Sequence, residues 1–253
     1  MQTIVFNGKS SETFGMLIGG VNNFGAPERI VEEYEIPGRS GTAIFDTGAF
    51  RNVLREYVAA IMHRRNLETV MASVKAWLLP DGDYHRLEDS YAPDVYRLAR
   101  VTGEIPTTAL GSVVRSVTFP ITFSCRPEKF LKIGEHEIVT DESGAELFNP
   151  TVYPATPLIY VQNTGGVNTS VNFYEVVNGS ENLRGFIYIP AEVTRPLLVD
   201  CETTEVTYAD SLGGNANDAI ELLSPIYLRQ QTRIRGFENQ SIILKIRPRW
   251  WRI

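Results

Sequence analysis

Apolar and polar positions along the chain change period several times, and each change predicts an element. Thr3 to Phe6 is a β-branched and aromatic run closed by Asn7-Gly8, which predicts a strand entering a tight turn. Turn residues at Gly19-Gly20, Gly25-Ala26-Pro27 and Pro37-Gly38-Arg39-Ser40-Gly41 bound short segments such as Arg29 to Ile36, favouring strands and loops over long helices. From Phe50 to Met62 the spacing turns helical, with Phe50, Val53, Leu54, Tyr57, Val58, Ile61 and Met62 on one face. A second helix is predicted after Asn66 as N-cap, with Leu67, Val70, Met71, Val74, Trp77 and Leu78 on one face and Pro80 beyond its end. Trp77 is expected in the core beside Val70, Val74 and Leu78. Asp81-Gly82-Asp83 predicts a hairpin turn before Tyr84 to Leu87, and Val113 to Cys125 alternates as a strand with Val117, Phe119, Ile121 and Phe123 on one face.

Arg126 to Glu146 is rich in charge and glycine, and Pro150, Pro154 and Pro157 follow it closely, which is the sharpest composition break in the sequence. The expected division is therefore residues 1–146, with 126–146 as linker, and residues 147–253. Beyond the break, Pro157 to Gln162, Val171 to Val177, Phe186 to Ile189, Leu197 to Tyr208 and Ser241 to Ile246 read as short strands, with Asn178-Gly179 as a hairpin turn. Closely spaced strands without a long helical pattern predict a sandwich.

Composition narrows the function classes. The formal net charge of −6 and the pI near 5.2 oppose general binding to a phosphate backbone. Cys125 and Cys201 form no CxxC pair, so neither a disulfide framework nor a zinc site is expected, and assembly in a reducing cytosol fits. The N-terminal residues do not read as a signal peptide, and no apolar run reaches the length of a membrane span. The sequons at Asn168, Asn178 and Asn239 would act only in a secretory compartment.

No motif for a catalytic serine, a zinc protease, a P-loop or a dinucleotide fold occurs, and His63, His85 and His136 stand apart from one another in sequence. His85, near Asp81, Asp83 and Glu88, reads as a solvated turn histidine rather than an acid, base or ligand. Asp81-Gly82-Asp83 lacks the remaining oxygen ligands of a calcium loop. Seven basic residues lie between Arg229 and Arg252 against the single acid Glu238, a pattern read as the wet face of paired strands rather than an anion site. Trp250 and Trp251 are candidate contacts for a partner or a saccharide, with a core-capping role as the alternative.

The order of segments resembles the distal tail protein family of siphophages, particularly those infecting Gram-positive bacteria. The residues that carry the resemblance are Phe6-Asn7-Gly8, Ile36-Pro37-Gly38-Arg39-Ser40-Gly41, Phe50-Arg51-Asn52-Val53, Lys75-Ala76-Trp77-Leu78, Gly82-Asp83-Tyr84 and Arg86-Leu87-Glu88-Asp89. Tyr96-Arg97-Leu98-Ala99-Arg100 and Ile121-Thr122-Phe123-Ser124-Cys125-Arg126-Pro127 complete the series. The resemblance covers the first half by residues and the second by architecture only. It implies a mainly β protein with one helix: a β-rich, ring-forming N-terminal domain and a galectin-like β-sandwich C-terminal domain. On that pattern Phe50 to Met62 is a strand, against its helical spacing, and only the Leu67 to Leu78 helix remains.

The resemblance further implies a structural protein without catalytic residues or cofactor, placed in the virion at the distal end of the tail and assembled in the host cytoplasm. Its partners would be five further copies in a six-membered ring, single or as two stacked rings, together with the tail tube protein and the tail-associated fibre or lysin protein. A receptor-binding protein is a further candidate, while specific nucleic-acid and membrane partners are not expected. Gly38 and Gly41 can take positive φ without a Cβ penalty and so fix Arg39 at an angle. The Pro37, Gly38, Arg39 and Gly41 turn is thus either a subunit contact or an ordinary tight turn. Two other classes compete with this reading. A carbohydrate-binding module for host adhesion would use Tyr153, Tyr160, Phe173, Tyr174, Trp250 and Trp251, whereas a wall hydrolase would need carboxylates across a cleft, and Glu135, Glu137, Asp141 and Glu142 lie in the linker-like stretch.

Overall fold

The computed structural model describes residues 2–20, 25–62, 66–106, 108–110, 116–140, 144–223, 225–236 and 242–253. His63, Asp141, Glu142, Glu238, Asn239, Ser241 and the start of the Val113 strand fall outside them. Two compact units form, one comprising the chain through Lys129 with Ile253 and the other Phe130–Arg252.

The first unit contains β1 (Ile4–Phe6), β2 (Lys9–Ser10), β3 (Met16–Gly19), β4 (Arg29–Glu35), β5 (Thr42–Phe50), β6 (Val53–Ile61), α1 (Leu67–Leu78), β7 (His85–Asp89), β8 (Val95–Val101), β9 (Thr108–Leu110) and β10 (Ser116–Cys125). Its main antiparallel sheet runs β2-β1-β7-β8-β10-β6-β3, with β9 on β10. A bridge between Gln2 and Ile18 brings the two ends of this sheet together. β10 supplies the centre of the core through Val117, Phe119, Ile121 and Phe123, all buried, as its alternation predicts. Pro120 sits where β10 has β6 on one side and neither β8 nor β9 on the other, so its missing N–H breaks no second ladder.

α1 packs Leu67, Met71, Val74, Trp77 and Leu78 inward, as the spacing predicts. Trp77 stacks on Phe14 at 4.9 Å and donates its indole N–H to the Phe6 carbonyl at 2.8 Å, so the helix is pinned by both ring and polar edge. Asn66 makes no side-chain cap, contrary to its expected role. Asp81-Gly82-Asp83 is a helix-to-strand turn rather than a hairpin turn, closed by Asp81 Oδ1 accepting from the Asp83 N–H at 2.9 Å.

The Phe50–Met62 segment is extended. β6 buries Arg55, Tyr57, Ala59 and Ile61 on one face. Its helical spacing arises because the opposite face also carries apolar residues, Leu54 and Val58, which stand 61% and 46% exposed. A two-residue period with apolar groups on both faces imitates a three-to-four-residue one.

The second unit holds β11 (Lys129–Leu131), which begins at the divide, then β12 (Ile138–Thr140), β13 (Ala145–Phe148), β14 (Leu158–Asn163), β15 (Thr169–Val177), β16 (Ser180–Ile189) and β17 (Leu197–Asp200). β18 (Glu205–Tyr208), β19 (Glu221–Leu223), β20 (Gln231–Arg235), β21 (Ile242–Arg247) and β22 (Trp251–Arg252) follow. Two five-stranded antiparallel sheets, β12-β21-β14-β17-β18 and β13-β20-β15-β16-β19, enclose Ile159, Val161, Phe173, Ile187, Leu244 and Ile246. This is the expected sandwich, but it begins earlier than residue 147, because β12 and β13 pair with β21 and β20 and so belong to its sheets. The stretch read as linker is structural for this reason. Asn178 and Gly179 turn the β15–β16 hairpin with φ of 51° and 79°, the double positive φ that two-residue hairpins prefer. β11 pairs with β22, and the Leu131 N–H donates to the Trp250 carbonyl at 2.8 Å.

Candidate assembly surface

β4 and β5 form a two-stranded sheet of their own, paired with no other strand among the described residues. Its base is held firmly. Arg29 Nε donates to Asp46 at 2.7 Å, the Arg29 guanidinium lies over the Phe50 ring, and Thr47 donates its hydroxyl to the Ile30 carbonyl at 2.7 Å. The bulge there, with Gly48 at φ 78°, bends the ribbon.

Beyond the base the hairpin buries almost nothing. Directly opposed residues in an antiparallel pair share a face, so Tyr34, Ala43, Glu32 and Phe45 line one face, and Glu33 and Ile44 the other. Tyr34, Ile44 and Phe45 are 55%, 66% and 61% exposed. Glu32, Glu33 and Glu35 give the ribbon an acidic edge, and Glu32 accepts from the Tyr34 hydroxyl, which raises that phenol's pKa. At the tip Gly38 and Gly41 take φ of 79° and 84°, and the Arg39 N–H donates to the Ile36 carbonyl at 3.1 Å. Pro37, Gly38, Arg39 and Gly41 are all exposed. The spacing of turn residues located this tip; nothing in the local pattern revealed that the strands leading to it stand clear of the core.

The other candidate residues are placed as follows. His85 lies in β7 rather than in a turn; its ring is mostly buried against Phe6 at 5.6 Å, with Nε2 2.7 Å from Asp81 Oδ1. His136 is exposed. Among the described residues no cluster of three or more His, Cys, Asp or Glu could hold a metal ion. The basic C-terminal stretch is paired across strands: Arg233 with Glu146 and Glu181, Arg235 with Glu181, Arg247 with Glu137, and Arg249 with Asp200 and Glu202. Trp250 is 5% exposed in the sandwich core. Trp251 stacks on Tyr153 at 4.5 Å and donates its indole N–H to the Pro154 carbonyl at 3.0 Å.

Sequence inspection missed a charged cluster inside the first unit. Asp89 accepts from the Tyr57 hydroxyl at 2.6 Å, from Arg55 Nη2 at 3.4 Å, and from the N–H groups of Tyr91 and Ala92 at 3.0 Å each. Arg97 lies beside it, and its Nη1 is buried without a hydrogen-bond partner. Burial pulls the Arg97 guanidinium below its usual range, while burial and then the Asp89 carboxylate push the Tyr57 phenol up, keeping it a donor.

Cys125 and Cys201 are free and buried. Burial pushes their thiols up to about 11 and about 12 respectively. At pH 8 an aromatic disulfide reagent is therefore expected to modify neither in the folded protein and both after denaturation. Stoichiometric labelling of the native chain would contradict this placement.

No protein-family model matches the sequence, and no curated protein does. Among solved structures, the Dit (gp 19.1) protein of SPP1, a paradigm of the hub adsorption apparatus in phages that infect Gram-positive bacteria, superposes with a TM-score of 0.68. The match spans 97% of this chain and 98% of that one at 16% identity. The chain has the Dit fold. The baseplate of phage P2 in its activated conformation matches as well. With calcium the TM-score is 0.54 over 97% of both chains; with strontium it is 0.56 over 100% of this chain and 97% of that one, each at 10% identity. The chain shares with these neighbours a Dit-like, mostly β architecture, and its own described residues hold one α-helix.

Proposed function

We propose that this protein is a distal tail protein, a structural and non-enzymatic virion component that builds a ring at the end of a phage tail tube. The observation that carries this reading is the β4–β5 hairpin and its exposed Tyr34, Ile44 and Phe45. A lone two-stranded hairpin is at best marginally stable in water, so its apolar faces call for cover. The same unit exposes Leu54 and Val58 on β6, a patch unlike the hairpin. Two unlike patches on one copy suit a head-to-tail interface, and a closing rotation turns such interfaces into a ring. The covering partner is thus a second copy of this chain.

In this reading six copies close one ring, or two rings that stack. The tube protein meets one ring face, and the tail-associated fibre or lysin protein meets the other. The second unit carries receptor-binding components, and the whole assembles in the host cytoplasm before it joins the distal tail. A net charge of −6 lets DNA pass the ring with few phosphate contacts. Pro37, Gly38, Arg39 and Gly41 form the hairpin tip that reaches the neighbour, with Arg39 as the bridging charge.

Light scattering over a concentration series, with negative-stain images, tests the reading. A six-membered ring is expected, and a strict monomer at every concentration overturns self-assembly. Arg39→Glu is expected to shift the ring toward smaller species while leaving circular dichroism unchanged. An unaltered mass distribution would remove Arg39 from the interface.

A further inference from the structure

The charged cluster inside the first unit does not balance. Arg55 and Tyr57 on β6, Asp89 at the end of β7, Arg97 on β8 and Cys125 at the end of β10 bear on one another there. The side chains of Arg55 and Asp89, and the whole of Arg97, are more than nine-tenths buried. Tyr57 and Cys125 are neutral at pH 7, because burial pushes the phenol up and the thiol up to about 11. The ionised groups that act on the Cys125 thiol are Arg97, Arg55 and Asp89, so two guanidinium charges face one carboxylate and sum to +1.

The one carboxylate has nothing left to offer. Asp89 Oδ2 accepts from the Tyr57 hydroxyl and from Arg55 Nη2, and its Oδ1 accepts from the N–H groups of Tyr91 and Ala92. A carboxylate has about four lone-pair sites, so all of them are taken. Arg97 makes no hydrogen bond among the described residues, and its Nη1 is wholly buried. A buried lysine or histidine could shed its proton, but a guanidinium keeps its charge.

These terms select a ligand. A neutral acceptor would meet the Nη1 hydrogens and leave the charge uncompensated, whereas an anion answers both. A dianion would only reverse the imbalance. Arg55 and Arg97 are 7% and 8% exposed, which closes the cluster to a carboxylate carried on another macromolecule and leaves room for the smallest ions. We infer that Arg97 anchors a buried site for a small monovalent inorganic anion of the chloride type. Bound there, the anion steadies β6, whose opposite face carries the exposed Leu54 and Val58. The inference concerns the first unit alone and does not depend on ring formation.

Calorimetry of the full chain, with sodium chloride exchanged for sodium gluconate at fixed ionic strength, tests it. The first unit's transition is expected to rise by about 4–8 °C as chloride reaches roughly tenfold its dissociation constant, while the second unit's transition stays in place. Arg97→Met keeps an unbranched stem without the charge, and is expected to abolish the response to chloride. Crystals of the parent protein soaked in bromide give a readout that needs no variant: an anomalous peak is expected within hydrogen-bond reach of Arg97 Nη1. A first transition indifferent to chloride, a response that survives in a folded Arg97→Met, or bromide at surface positions only would each overturn the inference. Should Arg97→Met fail to fold, the bromide position in the parent decides.

Discussion

Excision of residues 30–49, with Arg29 joined to Phe50 through a short Gly-Ser bridge, is expected to leave a folded protein that no longer forms a ring. Arg29 and Phe50 are direct partners at the hairpin base, so a two-residue turn closes the gap without moving either flank. The removed segment contributes no residue to the buried core of the first unit, so thermal stability is expected to stay near that of the parent. A milder version replaces Ile44 and Phe45 with aspartate. Burying a large apolar side chain contributes about 1.5–3 kcal/mol, and these two are about two-thirds exposed in the monomer. Their loss from an interface therefore weakens association roughly a hundredfold or more. Mass by light scattering reads the result, and a ring that survives excision would sink the role given to the hairpin.

Asp89→Asn is expected to destabilise the first unit severely. Arg55 and Arg97 are 7% and 8% exposed, and Asp89 is the carboxylate that faces them. Asparagine keeps the shape and an acceptor for Tyr57 but removes the carboxylate charge that faces the two buried guanidinium groups. Breaking a buried pair in this way costs about 3–5 kcal/mol. For a unit of this size that lowers the melting temperature by more than about 10 °C. Calorimetry of the full chain has an internal control, since the second unit's transition is expected to stay in place. A first transition within a degree or two of the parent would mean that the cluster is solvated rather than buried.

The contrast between these two sites explains what could be read from the residues alone. Leu67 to Leu78 and Asn178-Gly179 were legible because each depends on local chemistry: one apolar stripe, and two residues tolerant of positive φ. The β6 strand was not, because Leu54 and Val58 on its outer face broke the alternation, and only resemblance to distal tail proteins read it as extended. The same two residues that obscured the strand form the exposed apolar patch on β6 to which the proposed ring interface is assigned. Arg55, Asp89 and Arg97 sit on strands where a charge ordinarily signals a wet face, so their common burial is a product of sheet order. Phe148, Glu175 and Arg229 likewise come to line one cleft of the second unit because β20 pairs with both β13 and β15.

The pairing of β11 with β22 means that the sandwich is picked up and laid down by the chain at nearly the same point. A module whose two ends meet can be exchanged whole by recombination, as a cassette, without rethreading the unit that carries it. Changes confined to the sandwich would then leave the exposed β4–β5 hairpin of the first unit as it is.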